Sequence, residues 1–103
     1  MRFLVRIHIP VQTGNAGLLD GTMMPQLKSY LDALKPEAVY FAIADGQRTV
    51  FLVVDIEGPE KLPAIIEPPW LDWEADVDLT MVMNAADFEK AQPAAERILK
   101  ARK

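Results

Sequence analysis

Val39-Tyr40-Phe41-Ala42-Ile43-Ala44-Asp45-Gly46-Gln47-Arg48-Thr49-Val50-Phe51-Leu52-Val53-Val54-Asp55 reads as a β-hairpin. An Asp-Gly pair between β-branched and aromatic runs is the strongest short-range hairpin signal, because glycine supplies the positive φ that a two-residue turn demands. The second run decides more. Val50 to Val54 is apolar at every position, which suits a central strand covered on both faces; with one face in water, alternate positions would be polar. The hairpin therefore predicts a sheet whose two faces both need cover.

On the N-terminal side, Arg2 to Ile9 alternates, with Phe3, Val5, Ile7 and Ile9 on one face and Arg2, Leu4, Arg6 and His8 on the other. Pro10 ends this strand, and Thr13-Gly14-Asn15 predicts a loop. A long helical region follows, kinked or divided by Pro25 near Met24. Beyond it Leu27, Tyr30, Leu31 and Leu34 fall on one helical face, and Pro36 stops the helix.

On the C-terminal side, Gly58-Pro59 opens a short helix reaching about Glu67, with Pro63 close to its first turn. Pro68-Pro69-Trp70-Leu71-Asp72-Trp73 predicts a break in regular structure that holds both tryptophans. Ala75 to Met83 alternates again, with Val77, Leu79, Met81 and Met83 against Asp76, Asp78, Thr80 and Val82. Asn84 is a good N-cap for a last helix, Pro93 should bend or restart it, and its basic residues gather toward the C-terminal end.

The order β, α, β, β, α, β plus a C-terminal helix is the ferredoxin-like split-βαβ arrangement. It is an α+β fold with a four-stranded antiparallel sheet in spatial order 4-1-3-2 and both helices on one side. Residues 1–103 form one domain. The other face then carries Leu4, Arg6 and His8 beside Phe51 and Val53. Tyr40 and Ala42 lie on one edge strand and Asp76, Asp78, Thr80 and Val82 on the other. A face that is apolar in the middle and charged at one side predicts a second copy as its cover, a two-fold homodimer.

The totals exclude several classes. A net charge of −4 and a pI near 4.9 argue against a nucleic-acid surface. There is no cysteine, hence no disulfide, thiol nucleophile or thiolate metal site, which fits a reducing cytoplasm. No apolar run is long enough to span a bilayer, and the N-terminus lacks a signal-peptide core, so no membrane partner is expected. The lone serine, Ser29, sits within a helix, and the glycines form no phosphate loop. No metal or organic cofactor is called for.

The element order, the acidic loop before the last strand and the apolar third strand resemble the dimeric α/β-barrel superfamily, which includes muconolactone-isomerase-like enzymes and cofactor-free monooxygenases. More narrowly, Lys35-Pro36-Glu37-Ala38-x-Tyr40-Phe41, Asp45-Gly46-x-Arg48-Thr49, Pro63-Ala64-Ile65-x-Glu67-Pro68 and Val82-Met83-Asn84 are similar to segments of a group of small bacterial proteins. The resemblance covers most of the chain. It implies a dimer with sheets face to face around a cavity, and it carries over no catalytic residue, because chemistry differs from branch to branch.

The candidate site follows from the uncovered face. His8, the only histidine, would be a general base with one ring nitrogen held by Asp78 or Asp76. Arg6 offers a planar fork to a carboxylate or enolate, or else an ion pair to Asp78. Tyr40 would donate a hydrogen bond, Phe51 would supply an apolar wall, and Trp70 and Trp73 would form a lid or a dimer anchor. The expected ligand is a small, partly apolar molecule that is anionic or carbonyl-bearing, turned over by cofactor-free proton transfer in an isomerase or monooxygenase-like reaction. The alternative is a non-catalytic metabolite-binding or protein-interaction module whose polar cluster only sets dimer register.

Overall fold

Asp45 and Gly46 both take positive φ, 55° and 74°, and form the two-residue turn that pairs Ala44 with Gln47. A computed structural model describes all 103 residues. Its elements are β1 (Arg2–Ile9), α1 (Val11–Asp20), α2 (Met23–Leu34), β2 (Ala38–Ala44), β3 (Gln47–Asp55), a one-turn 3-10 helix (Pro59–Lys61), α3 (Leu62–Trp73), β4 (Asp76–Val82) and α4 (Ala85–Ala101). The strands make one antiparallel sheet in the order β2-β3-β1-β4, the ferredoxin-like order read from either edge. No helix is long and apolar enough to cross a membrane.

Register fixes the faces. β1 pairs Val5 with Leu52 and Ile7 with Val50, and these four shut out water beneath the helices together with Ile65 and Trp73. On the opposite face Leu4 stands against Val53, Arg6 against Phe51 and His8 against Thr49, while β4 brings Thr80, Asp78 and Asp76 against Leu4, Arg6 and His8. The alternation in the sequence assigns all of these faces correctly, because a two-residue turn leaves no odd residue to slip the register.

Four local expectations are corrected, the last of them at Pro93. Thr13-Gly14-Asn15 lies inside α1 rather than in a loop. Gly14 permits this because a Cβ there would come 2.6 Å from Arg48 Nη1, the guanidinium that donates to Asn15 Oδ1. The helical region divides at Gly21, with φ 81°, not near Met24. Asp20 then accepts from the N–H and hydroxyl of Thr22, which holds its carboxyl below the usual carboxylate range. Pro25 falls in the first turn of α2, where no N–H is needed, so it causes no kink.

The third correction concerns α3, which continues through Pro68 and Pro69 to Trp73. Pro69 has no N–H to offer the carbonyl of Ile65 four residues earlier. The Tyr30 hydroxyl donates to that carbonyl instead, at 2.7 Å. Tyr30 also meets Trp73 edge-on, with ring centroids 5.6 Å apart, and Trp73 Nε1 donates to Gln26 Oε1. Packing against α2 thus replaces one of the two donors that Pro68 and Pro69 remove; the other carbonyl belongs to Ala64, an exposed residue. Asn84 and Asp87 form the reciprocal capping box of α4, which runs unbroken through Pro93.

Candidate functional site

His8 sits at the end of β1 on the open face and is 7 % exposed. Its Nδ1 lies 3.0 Å from Thr49 Oγ1, directly across the β1–β3 pair. The Thr49 hydroxyl is also 3.1 Å from the Gln47 carbonyl and 3.5 Å from the Ala44 carbonyl, and both of these only accept. A hydroxyl has one hydrogen; if a carbonyl takes it, the imidazole must donate to Thr49 through Nδ1–H. With the hydroxyl hydrogen on a carbonyl, the neutral ring is the Nδ1–H tautomer and the Nε2 lone pair is free. Asp45 Oδ2 stands 3.8 Å from Nε2, beside the position a captured proton would occupy.

Nε2 looks into an open cleft of about 490 Å³ lined by Arg6, His8, Asp45, Gln47, Trp70, Asp76, Val77 and Asp78. The β2–β3 turn provides Asp45 and Gln47, β4 provides the two aspartates and Val77, and α3 sends Trp70 round the β4 edge. Arg6 Nη2 donates to Asp78 Oδ2 at 2.5 Å across the β1–β4 pair, while Arg6 Nε is buried without a partner. Asp76 has no side-chain partner within the chain. Three carboxylates therefore share the cleft with one guanidinium, and Asp78 already neutralises that guanidinium.

Several sequence-predicted residues meet here and others do not. His8, Arg6, Asp78 and Trp70 line the cleft. Contrary to the expectation from sequence, neither Asp78 nor Asp76 holds the imidazole: Arg6 engages the Asp78 carboxylate, Asp76 makes no side-chain bond, and Thr49 takes Nδ1. Phe51 and Tyr40 form a cross-strand pair on the same face, beside the cleft and not in its lining; the Tyr40 ring is largely exposed on the edge strand. Trp73, expected in a lid or as a dimer anchor, is 1 % exposed in the core, whereas Trp70, three residues earlier, is 49 % exposed. Three residues at 3.6 per turn set the two rings about 60° apart round α3, so Trp73 lies on the buried stripe and Trp70 at its edge.

Thr49, Asp45 and Gln47 were missed. Thr49 is the polar residue just before the apolar run, and pairing β1 with β3 places it opposite His8; the Asp-Gly signal speaks only to the backbone conformation of Asp45. His8, Asp45, Asp76 and Asp78 do not converge as a set of metal ligands. No protein-family model matches the chain, and no curated protein matches its sequence.

Proposed function

We propose that the cleft beside His8 binds a small, partly apolar, neutral carbonyl compound and that His8 Nε2 moves a proton to and from the carbon next to the carbonyl, without a cofactor. The single observation that carries this is an imidazole fixed through Nδ1 with its other nitrogen facing an open polar cleft. In the step, the C–H bond breaks, its proton goes to Nε2 beside Asp45, and the electron pair enters the enolate; return of the proton to another carbon would complete an isomerisation. Trp70 offers an aromatic wall to the apolar part of the molecule, and Gln47 offers an amide to its oxygen. The excess of carboxylates disfavours an anion, which sharpens the expected ligand to the carbonyl-bearing class.

We place this cleft between two copies of the chain. Leu4, Phe51, Val53 and Tyr40 leave the middle of the open face apolar and uncovered, which supports a homodimer closing over it. A non-catalytic module remains the second reading, favoured by the Arg6–Asp78 pair, which is satisfied within one chain.

Deuterium exchange separates the two. With phenylacetone in D2O, proton NMR should show loss of its α-proton signals faster than in buffer, and the lone histidine's imidazole resonances should move on addition. His8→Gln should return exchange to the buffer rate. Moved resonances without exchange would favour the non-catalytic module, and unmoved resonances would remove the cleft as a site for such compounds.

A further inference from the structure

α4 is an arm. None of its 17 residues is buried, and the only side-chain bond joining it to another element runs from Arg2 to Asp87 in its first turn. The molecule is 62 Å long but only 27 Å and 19 Å across. Arg2 belongs to the open face, so the root of the arm is tied to that side of the sheet, and the capping box fixes its start. Phe88, Ala91, Ala95, Ile98 and Leu99 fall within a sector of about 100° of the helix, with Arg102 at the end of the same stripe. Phe88, Ile98 and Leu99 are all exposed.

We infer that the apolar stripe of α4 lies across the open sheet face of a second copy, parallel to that copy's β1, with Arg102 meeting the carboxylates beside its His8. This placement rests on the proposal above that a second copy covers the open face, and it names the covering element. Three properties match. A helix of this length spans about 25 Å and an eight-residue strand about 26 Å. The stripe is apolar and then basic, while the face is apolar from Leu4 and Val53 to Phe51 and then acidic at Asp76, Asp78 and Asp45. Finally, residues 1–84 hold twelve carboxylates against six Lys and Arg, and the remainder holds five Lys and Arg against three carboxylates, so arm and body attract between copies. Asp76, partnerless within its own chain, is the carboxylate best placed to receive Arg102.

Sedimentation equilibrium of the full chain tests this, with circular dichroism to confirm folding; the arm is outside the core, so its substitutions leave the sheet intact. The wild-type protein should dimerise. Phe88→Asp with Ile98→Asp should raise the dimer Kd by ~100-fold, as expected when apolar anchors are removed. Arg102→Glu should raise it by roughly threefold at low salt, with Asp76→Arg restoring it, whereas Arg97→Glu, on the outward side of the helix, should change nothing. A monomeric wild-type chain, an undisturbed dimer in the double aspartate variant, or equal effects of Arg97→Glu and Arg102→Glu would each overturn the arm. The imidazole response to phenylacetone is read on the same samples. A monomer that still responds overturns the arm alone, and a dimer without response overturns the cleft alone.

Discussion

On one face of β1, Val5 and Ile7 are wholly shut away from water; one residue along, Leu4 keeps 36 % of its surface and Arg6 carries a buried Nε with no partner. The same strand thus has a finished side and an unfinished side. Beneath the helices even the carbonyl orphaned by Pro69 has found a donor, in Tyr30. On the open side the Arg2 end is closed, since Glu37, Asp55 and Asp87 surround one guanidinium and raise its pKa, the Glu37 hydrogen bond foremost. The His8 end is not closed, because Nε2 and Asp76 have no hydrogen-bond partner there. Saturated polar groups mark architecture, and unsatisfied ones at a cleft mark where something else is expected to bind.

The covered face should yield the largest effects. Trp73→Ala removes a fully buried indole and should cost about 3–5 kcal/mol in urea unfolding. Tyr30→Phe leaves the Ile65 carbonyl without its donor and should cost about 1–3 kcal/mol. Pro69→Ala in that background should recover part of the loss by restoring a helical N–H, a coupling that unfolding of the four chains would measure.

Burial pushes the Tyr30 phenol above its ordinary value, so its neutral form is favoured in the folded chain. The associated stability is complete below about pH 10 and is lost as pH rises past that value. Tyr30→Phe should therefore flatten the alkaline decline of stability; an unchanged decline would place its cause elsewhere.

On the open face the expected losses of stability are smaller and the expected losses of function larger. Thr49→Val removes the hydroxyl that holds Nδ1 inside the sheet and should cost about 1–2 kcal/mol. It should also shift the imidazole tautomer balance, visible in the ring nitrogen shifts, and lower any α-proton exchange. Retained tautomer and exchange would show that Thr49 does not position His8. Asp78→Asn breaks a largely exposed ion pair and should change stability by less than about 1 kcal/mol. An equally small loss from Trp73→Ala would erase the distinction between the faces.

Much of this contrast is legible in the sequence. Alternation in Arg2 to Ile9 and Asp76 to Val82, together with a turn of defined length, placed His8, Arg6 and Asp78 on one face. The Asn84 cap was equally local, needing only residues three apart. The failures share a cause. Two prolines in Pro68-Pro69 argue against a helix in any local reading, and the donor for the carbonyl that Pro69 orphans comes from the distant Tyr30. A broken segment puts Trp73 in a lid or at a dimer anchor; the helix puts it in the core. The expected partner of His8, Asp78 or Asp76, lies on β4, whereas the observed one, Thr49, lies on β3, because two strands flank β1 and the charged one draws the reading. Asp78 stands opposite Arg6 and pairs with it, and Asp76, opposite His8, makes no side-chain bond, so charge alone does not pick the partner of the imidazole.

The Asp45-Gly46 turn has a consequence for how such a chain can change over generations. Asp45 occupies a left-handed backbone position that favours only glycine, asparagine and aspartate, and it is also the carboxylate facing Nε2. Asparagine would keep the hairpin and remove the charge; glycine would keep the hairpin and remove the side chain. One inserted residue would carry the carboxylate elsewhere while the strands still paired. Kinship in shape could therefore outlast kinship in chemistry, and the two letters at this turn would distinguish descendants that kept the charged neighbour of His8 from those that kept only the bend.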